Sequence, residues 1–225
     1  MRLDVPRQLC EGPDVDEPQK RMPNPYDEAP RLPPEEHIDL RQIVRGARYE
    51  LEVGSGRGGF VYERAAAVPD DAVVGLEIKR KWSTIVDLKL HKLGIAGRAR
   101  VFAEDAKLAL PRLGPDAILD RAYLHFPDPW WKKRHEKRLV MGDLFLREMA
   151  RLIRPGGELF IQTDVEDRAA EYEAQVALCT DFIPHGDAAG SPRIVDHTFI
   201  ARSPREHRAI ADGLPVYRLL YRRRE

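Results

Sequence analysis

The sequence has little cysteine, no long apolar run and no net charge. No stretch approaches the roughly 20 apolar residues that cross a bilayer, so we expect no membrane partner. The two cysteines, Cys10 and Cys179, lie far apart and lack metal-ligand spacing, which favours free thiols in a reducing compartment and predicts no metal site. The beginning of the sequence lacks the apolar core of a signal peptide, and we therefore expect a cytoplasmic location.

Basic and acidic residues balance at 37 each, so no overall field draws the chain to nucleic acid, and any basic footprint must be local. A chain of 225 residues is long enough to bury one large core. Residues 1–45 are rich in proline and show little apolar periodicity, which predicts an extended, partly mobile arm. Residues 46–225 are expected to form the main domain.

Strand and helix patterns alternate through that domain. The predicted strands are 49–53, 72–78, 99–103, 117–126 and 158–163, and the predicted helices are 59–67, 82–93, 107–113, 144–153 and 166–178. Such alternation predicts an α/β fold with a mostly parallel central sheet and helices on both faces, in which ligands bind at the carboxyl ends of the strands. Residues 215–223 resemble a closing strand, which we expect to run antiparallel at the sheet edge.

A glycine-rich loop follows the first predicted strand, in the order Glu52-Val-Gly54-Ser-Gly56-Arg-Gly58-Gly59. Glycines there permit a tight turn and a close approach of a ligand to the backbone. The signal is weak alone, because Gly54, Gly56 and Gly59 also satisfy the dinucleotide pattern. Glu52 is an acid just before the loop, where an enzyme that uses S-adenosylmethionine can place a carboxylate near the cationic amino-acid end of that cofactor.

Acids also follow the next two predicted strands. Glu77 ends the second strand about 25 residues after the glycine loop, where an acid accepts from ribose hydroxyls. Asp105 follows the third strand, where an acid can accept from an adenine amino group, and its neighbour Glu104 is the competing candidate. Each acid alone fits a helix cap or a turn. Glu52, Glu77 and Asp105 at three aligned strand ends favour S-adenosylmethionine as the cofactor.

The most unusual stretch, residues 124–135, reads Leu-His-Phe-Pro-Asp-Pro-Trp-Trp-Lys-Lys-Arg-His. Prolines on both sides of Asp128 deny it regular secondary structure, so we expect its carboxylate at an exposed turn. Trp130 and Trp131 offer stacking faces. Cations follow that suit RNA phosphates, namely Lys132, Lys133, Arg134, Lys137 and Arg138. An ordinary solvated helix start is the alternative interpretation of this charge run.

With these residues the chain resembles the bacterial tRNA (guanine-N7)-methyltransferase family, from about residue 49 to residue 223. Its most specific element is Phe126-Pro-Asp128-Pro-Trp130, followed by Lys132-x-Arg134-His135-x-Lys137-Arg138. The resemblance implies a Rossmann-like class I fold and methyl transfer from S-adenosylmethionine to the guanosine at tRNA position 46. It implies that the cofactor and catalytic site is lined by Glu52, Gly54, Gly56, Glu77, Asp105 and Asp128. It also implies that Lys132 and Asp164 contact the substrate nucleoside.

A further family segment has the form Thr-x-x-Glu-x-Lys/Arg, and Ser203-Pro-Arg-Glu206-His-Arg208 occupies its place here. Serine keeps the hydroxyl, so Ser203 and Glu206 are predicted substrate contacts. Leu139 departs from the pattern, because a third basic residue often stands there. We expect Asp128 to be the catalytic carboxylate, and tRNA to be the partner of a monomer or homodimer with no obligatory protein partner.

Two other functions compete with this interpretation. An NAD-dependent oxidoreductase would share the glycine loop, but no Tyr-x-x-x-Lys pair appears after the later strands. A catalytically silent RNA-binding module of the same fold would fail to bind S-adenosylmethionine, which a thermal-shift assay would reveal. The complete set of carboxylates argues against the silent module.

Overall fold

The computed structural model of the protein describes residues 26–127 and 139–225. The strands in these ranges are β1 Ile38–Asp39, β2 Tyr49–Val53, β3 Ala72–Leu76, β4 Ala99–Phe102, β5 Leu113–Gly114, β6 Leu119–His125, β7 Ile153–Thr163, β8 Phe182–Pro184, β9 Arg193–Ile194 and β10 Tyr217–Arg223. The α-helices are α1 Leu40–Ile43, α2 Gly59–Ala67, α3 Arg80–Lys92, α4 Ala106–Ala109, α5 Asp143–Leu152, α6 Glu166–Ala177 and α7 Pro204–Ala211. None of these helices combines the length and apolarity needed to cross a membrane.

The main sheet has the strand order β4-β3-β2-β6-β7-β10-β8. Strands β2, β3, β4, β6 and β7 run parallel, and Val53 pairs with Leu76 on one side and with Leu124 on the other. Buried residues of α5 and α6 pack with one face of the sheet, and those of α2 and α3 pack with the other. The predicted parallel sheet with helices on both faces is therefore confirmed. Because β2, β3 and β6 end together, their last residues lie along the same edge of the sheet, the one formed by the carboxyl ends of the strands.

The closing strand β10 is antiparallel to β7, as predicted, but it does not form the sheet edge. Both sides of β10 are paired, because β8 and β9 lie on the side away from β7. The expected edge position is therefore wrong. Strands β8 and β9 have three and two residues, which is too short for an alternating pattern to be recognised in the sequence.

Strand β7 is longer than predicted. It begins at Ile153, directly after α5, and so contains Pro155, Gly156 and Gly157, which lie between the predicted helix 144–153 and the predicted strand 158–163. The pairing with β6 shifts between Leu119, opposite Ile153, and Arg121, opposite Glu158. Four residues of β7 therefore bulge opposite one residue of β6, and bulges are where proline and glycine are tolerated in strands. The predicted helix 107–113 is divided into α4 and a 3-10 turn over residues 110–112.

The second half of the predicted arm packs on the domain. Leu32, Leu40 and Val44 are buried in the core cluster that covers one face of the sheet. The amide of Ala103, at the end of β4, donates to the carbonyl of Pro30 at 2.6 Å. These apolar residues are isolated among prolines and charges, so periodicity could not reveal them. Residues 1–25 lie outside the described ranges.

Aromatic side chains form a compact cluster between β6, β7 and α2. Phe60 meets the ring of Tyr123 edge to face at 4.6 Å between centroids, and Phe160 meets Phe199 in the same way at 4.9 Å. All four rings are at most 3 % exposed. Edge-to-face pairs of this kind are favourable beyond the area they bury. The cluster therefore lies near the carboxyl ends of β6 and β7, where Tyr123 and Phe160 are paired in register.

Candidate active site

The glycine loop lies between the end of β2 and the start of α2. Gly54 and Gly56 have φ angles of +83° and +53°, which favour glycine. A Cβ built on either residue would meet no atom of the described residues within 4 Å, so both border space that the described part of the chain leaves open. The amide of Gly54 donates to the carbonyl of Leu76 at 2.8 Å and so ties the loop to β3. The loop therefore offers a ligand an exposed backbone on a fixed support.

Glu77 follows β3 and forms a hydrogen bond to the glycine loop. Its two carboxylate oxygens accept from the amides of Gly56 and Lys79, each at 2.8 Å. The side chain is buried, and its position beside the loop brings together two residues that the sequence had predicted to share a site. A carboxylate has about four acceptor positions, so two remain for the hydroxyls of a ribose.

The contacts of Glu104 and Asp105 distinguish the two candidates for the adenine position. Glu104 is buried and accepts from the Arg31 guanidinium at 2.9 and 3.1 Å and from the amide of Leu32 at 3.0 Å. Asp105 is less buried and caps α4 by accepting from the amide of Lys107 at 2.9 Å. Glu104 thus fastens the N-terminal segment to β4. These contacts favour Asp105 as the residue that faces a ligand, and its role stays a prediction.

Glu52, near the end of β2, forms a buried pair with His125 at the end of β6. Its Oε1 lies 2.8 Å from His125 Nδ1, while its Oε2 is buried without a hydrogen-bond partner among the described residues. Burial raises the pKa of Glu52, and the hydrogen bond from His125 opposes that rise. An unpartnered buried carboxylate oxygen is costly, and it suits the cationic amino group of S-adenosylmethionine. The residues present therefore fit this cofactor.

His125 is a site residue that the sequence argument did not identify. The available signal was its position, directly before the Phe-Pro-Asp-Pro stretch at the end of a predicted strand. Several predicted site residues lie outside the described ranges, namely Asp128, Lys132, Lys133, Arg134, Lys137 and Arg138. Phe126 precedes Asp128 by two positions in the sequence, and its amide donates to the carbonyl of Gln162 at 2.7 Å. The chain therefore leaves β6 at the edge where the glycine loop lies.

Asp164 lies just after β7, at the same edge. Both of its carboxylate oxygens accept from the Arg205 guanidinium, at 2.8 to 3.0 Å. The guanidinium carbon of Arg205 also lies 5.3 Å from the ring centroid of Phe126. The structure therefore places Asp164 beside the start of the Phe-Pro-Asp-Pro stretch, with an exposed arginine as its present partner.

Ser203 and Glu206 belong to the first turn of α7. Ser203 caps the helix by accepting from the amide of Glu206 at 3.2 Å. A Cβ on Gly59 would lie 2.3 Å from Pro204 Cγ, so α7 begins directly against the glycine loop. The structure thus brings this distant segment against the glycine loop, and contact between Ser203 and a substrate stays a prediction.

The Glu206 carboxylate itself is fully buried. It accepts from Arg202 at 2.5 Å, from Arg218 at 2.8 Å and from His197 Nε2 at 3.2 Å. Burial would raise the pKa of Glu206, but the hydrogen bonds from His197 and Arg218 outweigh it and the pKa is lowered. Asp196, His197 and Glu206 place ligand-type atoms within 4.8 Å of one another, yet the two guanidinium groups occupy that carboxylate. The cluster is an ion-pair network, and contact between Glu206 and a substrate stays a prediction.

Comparisons with known proteins agree with this geometry. A family described as putative methyltransferase matches residues 47–219. The tRNA (guanine-N(7)-)-methyltransferase of Anaeromyxobacter dehalogenans is 37 % identical over 77 % of this chain and 85 % of its own, and that of Myxococcus xanthus is 34 % identical over 75 % and 80 %. The crystal structure of TrmN from Thermus thermophilus superposes with a TM-score of 0.55 and 21 % identity, over 82 % of this chain and 46 % of that one, which confirms the Rossmann-like methyltransferase fold. The chain therefore belongs to the tRNA (guanine-N7)-methyltransferase family.

Proposed function

We infer that the protein transfers the methyl group of S-adenosylmethionine to N7 of the variable-loop guanosine at tRNA position 46. The observation that carries this inference is the buried carboxylate of Glu52, whose Oε2 has no hydrogen-bond partner among the described residues. Glu52 stands two positions before the glycine loop in the sequence. The names of the curated relatives support the choice of tRNA and of guanine N7. The predicted S-adenosylmethionine dependence agrees with the family and the fold.

Three acids among the described residues are proposed to bind different parts of the cofactor. We propose that Glu52 accepts from the amino group, that Glu77 accepts from the ribose hydroxyls and that Asp105 accepts from the adenine. Gly54 and Gly56 leave the space beside the loop that such a ligand requires. When bound, S-adenosylmethionine supplies a methyl group on a cationic sulfonium.

The reaction places a limited demand on the protein. Guanine N7 has an in-plane lone pair and no proton, so its methylation requires no general base. The protein must align the reactants and favour the positive charge that the purine acquires. Asp128 is proposed to accept from the Watson–Crick edge of guanine and to stabilise the cationic ring. Asp164, which lies at the same edge of the sheet, is proposed to accept from a second guanine donor once Arg205 has turned toward the RNA.

The remaining predicted residues would bind the tRNA itself. Base-modifying enzymes commonly take their target base out of its stack, and Trp130 or Trp131 is proposed to stack on what is then exposed. Lys132, Ser203 and Glu206 are proposed to contact the nucleoside. A separate group would contact the RNA backbone, namely Lys133, Arg134, Lys137 and Arg138. The protein is proposed to act in the cytoplasm as a monomer or homodimer without an obligatory partner.

The test is transfer of labelled methyl from S-adenosylmethionine to unmodified tRNA, beside a transcript whose variable-loop guanosine is replaced by adenosine. Each RNA is assayed with wild type, Asp128→Ala and the control Asp116→Ala, because Asp116 is an exposed acid before the start of β6. We expect labelling to require both the guanosine and Asp128, and to survive in the control. Labelling of the adenosine transcript would place the target elsewhere. A wild-type protein that binds tRNA but not the cofactor would instead be a silent RNA-binding module.

A further inference from the structure

A pair of buried polar side chains bridges β2 and β6 directly above the aromatic cluster. Glu52 pairs in register with Tyr123, so His125 lies two residues farther along β6 and on the same face as Tyr123. Diagonal neighbours at this spacing on adjacent strands are within reach of long side chains. The 2.8 Å contact between Glu52 Oε1 and His125 Nδ1 is thus set by the sheet register.

Aromatic rings hold the imidazole of His125 in place. Phe60 meets it edge to face at 4.3 Å between centroids, Tyr123 stacks on it at 5.5 Å, and Phe160 meets it at 5.7 Å. The His125 side chain is only 4 % exposed. A ring packed between three others cannot turn without displacing them. The Nδ1 atom therefore faces Glu52 before any ligand arrives.

The pairing uses only half of the Glu52 carboxylate. Oε1 accepts from His125, and Oε2 has no partner among the described residues. Rotation of the carboxylate toward another donor would break its hydrogen bond to His125 and leave a buried N–H unpaired, which is unfavourable. His125 thus keeps the unpaired oxygen in one orientation.

We propose that His125 is a positioning residue, which orients Glu52 so that its free oxygen receives the cationic amino group of the cofactor. This inference rests on the proposed function, because it requires an S-adenosylmethionine site at the glycine loop. It assigns a role to a side chain that neither the glycine loop nor the Phe-Pro-Asp-Pro stretch includes. His125 does not touch the transferred methyl group in this scheme and acts only through Glu52.

Two substitutions separate hydrogen bonding from packing. His125→Phe keeps a ring within the aromatic cluster but removes the donor. His125→Asn keeps a donor near the position of Nδ1 but leaves a gap in the cluster. If His125 served packing alone, Asn would be the more harmful change. If it orients Glu52, Phe is the more harmful change for ligand binding.

The experiment measures binding by isothermal titration calorimetry, with two ligands that differ in their amino-acid end. S-adenosylhomocysteine carries the amino group, and 5′-methylthioadenosine lacks it. We expect His125→Phe to weaken S-adenosylhomocysteine binding about tenfold, the order expected for one hydrogen bond to a charged group, and to change methylthioadenosine binding less than about twofold. His125→Asn should stay within about threefold of wild type for both ligands.

Thermal unfolding without ligand is recorded for each variant, so that a loss of folded protein is recognised. Equal losses for the two ligands, or a larger loss with Asn than with Phe, would overturn the positioning role. A Glu52→Gln variant should lose affinity for S-adenosylhomocysteine, and adding His125→Phe to it should cause little further loss. Wild-type protein that bound neither ligand would refute the proposed function itself, which is a different result from a uniform loss in the variants.

Discussion

Replacing Glu206 by glutamine is expected to destabilise the protein strongly. The wild-type carboxylate is fully buried and lies within 2.5 to 3.2 Å of Arg202, Arg218 and His197. A neutral amide cannot compensate the charges of Arg202 and Arg218, and its NH₂ group would face hydrogen-bond donors. Ser203 would still cap α7, but the network that joins this helix to Arg218 of β10 would lose the buried carboxylate at its centre.

The magnitude follows from the burial of the network. Removal of one partner from a buried ion pair costs about 3–5 kcal/mol in the free energy of unfolding. For a domain of this size, each 1 kcal/mol lowers the melting temperature by roughly 2–4 °C, so we expect a fall of about 6–20 °C. The change should be measured by chemical denaturation, and by thermal unfolding followed by circular dichroism.

Asp116→Asn provides the matched control. Asp116 also bonds to an arginine, Arg151, at 2.7 Å, but its side chain is 73 % exposed. Exposed pairs are worth about 0–1 kcal/mol, so the control should melt close to wild type. If Glu206→Gln were no more destabilising than Asp116→Asn, the Glu206 network would not be a main support of α7.

Three further predictions concern pH, substrate binding and salt. Burial opposes ionisation of Glu206, but its hydrogen bonds lower its pKa below the ordinary 4.5. The difference in the free energy of unfolding between wild type and Glu206→Gln, measured by denaturation, should therefore be constant above about pH 5. It should shrink as the pH falls below 4.5. A gap that widened in acid would contradict this. Asp164→Asn should raise the KM for tRNA about tenfold, and unchanged kinetics in this variant would remove Asp164 from the substrate site. Arg205→Ala, which removes an exposed pair, should change the free energy of unfolding by less than about 1 kcal/mol. A Lys133→Ala, Lys137→Ala double variant should reduce the slope of log K against log salt for tRNA binding by about 1–2, and an unchanged slope would exclude phosphate contacts by these lysines.

Much of the fold could be predicted from the sequence, because it depends on local patterns. Strand β3 is a continuous apolar run, β2 alternates apolar and acidic residues, and α3 repeats apolar residues at helical spacing before it ends near Gly94. Alternation of such elements leaves few topologies, since parallel strands require crossover helices. The glycine loop and the acids Glu52 and Glu77 were then expected at one edge, where the structure places them.

Other features depended on contacts between residues far apart in the chain. The sequence contains Pro30, Arg31 and Leu32 in a stretch that resembles a loose arm, yet Glu104 and β4 hold them against the domain. The position of β10 inside the sheet depended on β8 and β9, which are too short to show a pattern. Local periodicity carries no information about such partners.

The site shows the same difference between features set by local sequence patterns and features set by distant contacts. The sequence by itself determined which residue types are available at the strand ends, and so the family and the cofactor chemistry. Only the tertiary structure decided that His125 holds Glu52, across 73 residues of sequence, and that Glu206 is buried among cations. The physical reason is that the partner of a side chain is selected by strand register and by helix docking. Both are set by the packing of the whole core, which no short stretch of sequence encodes.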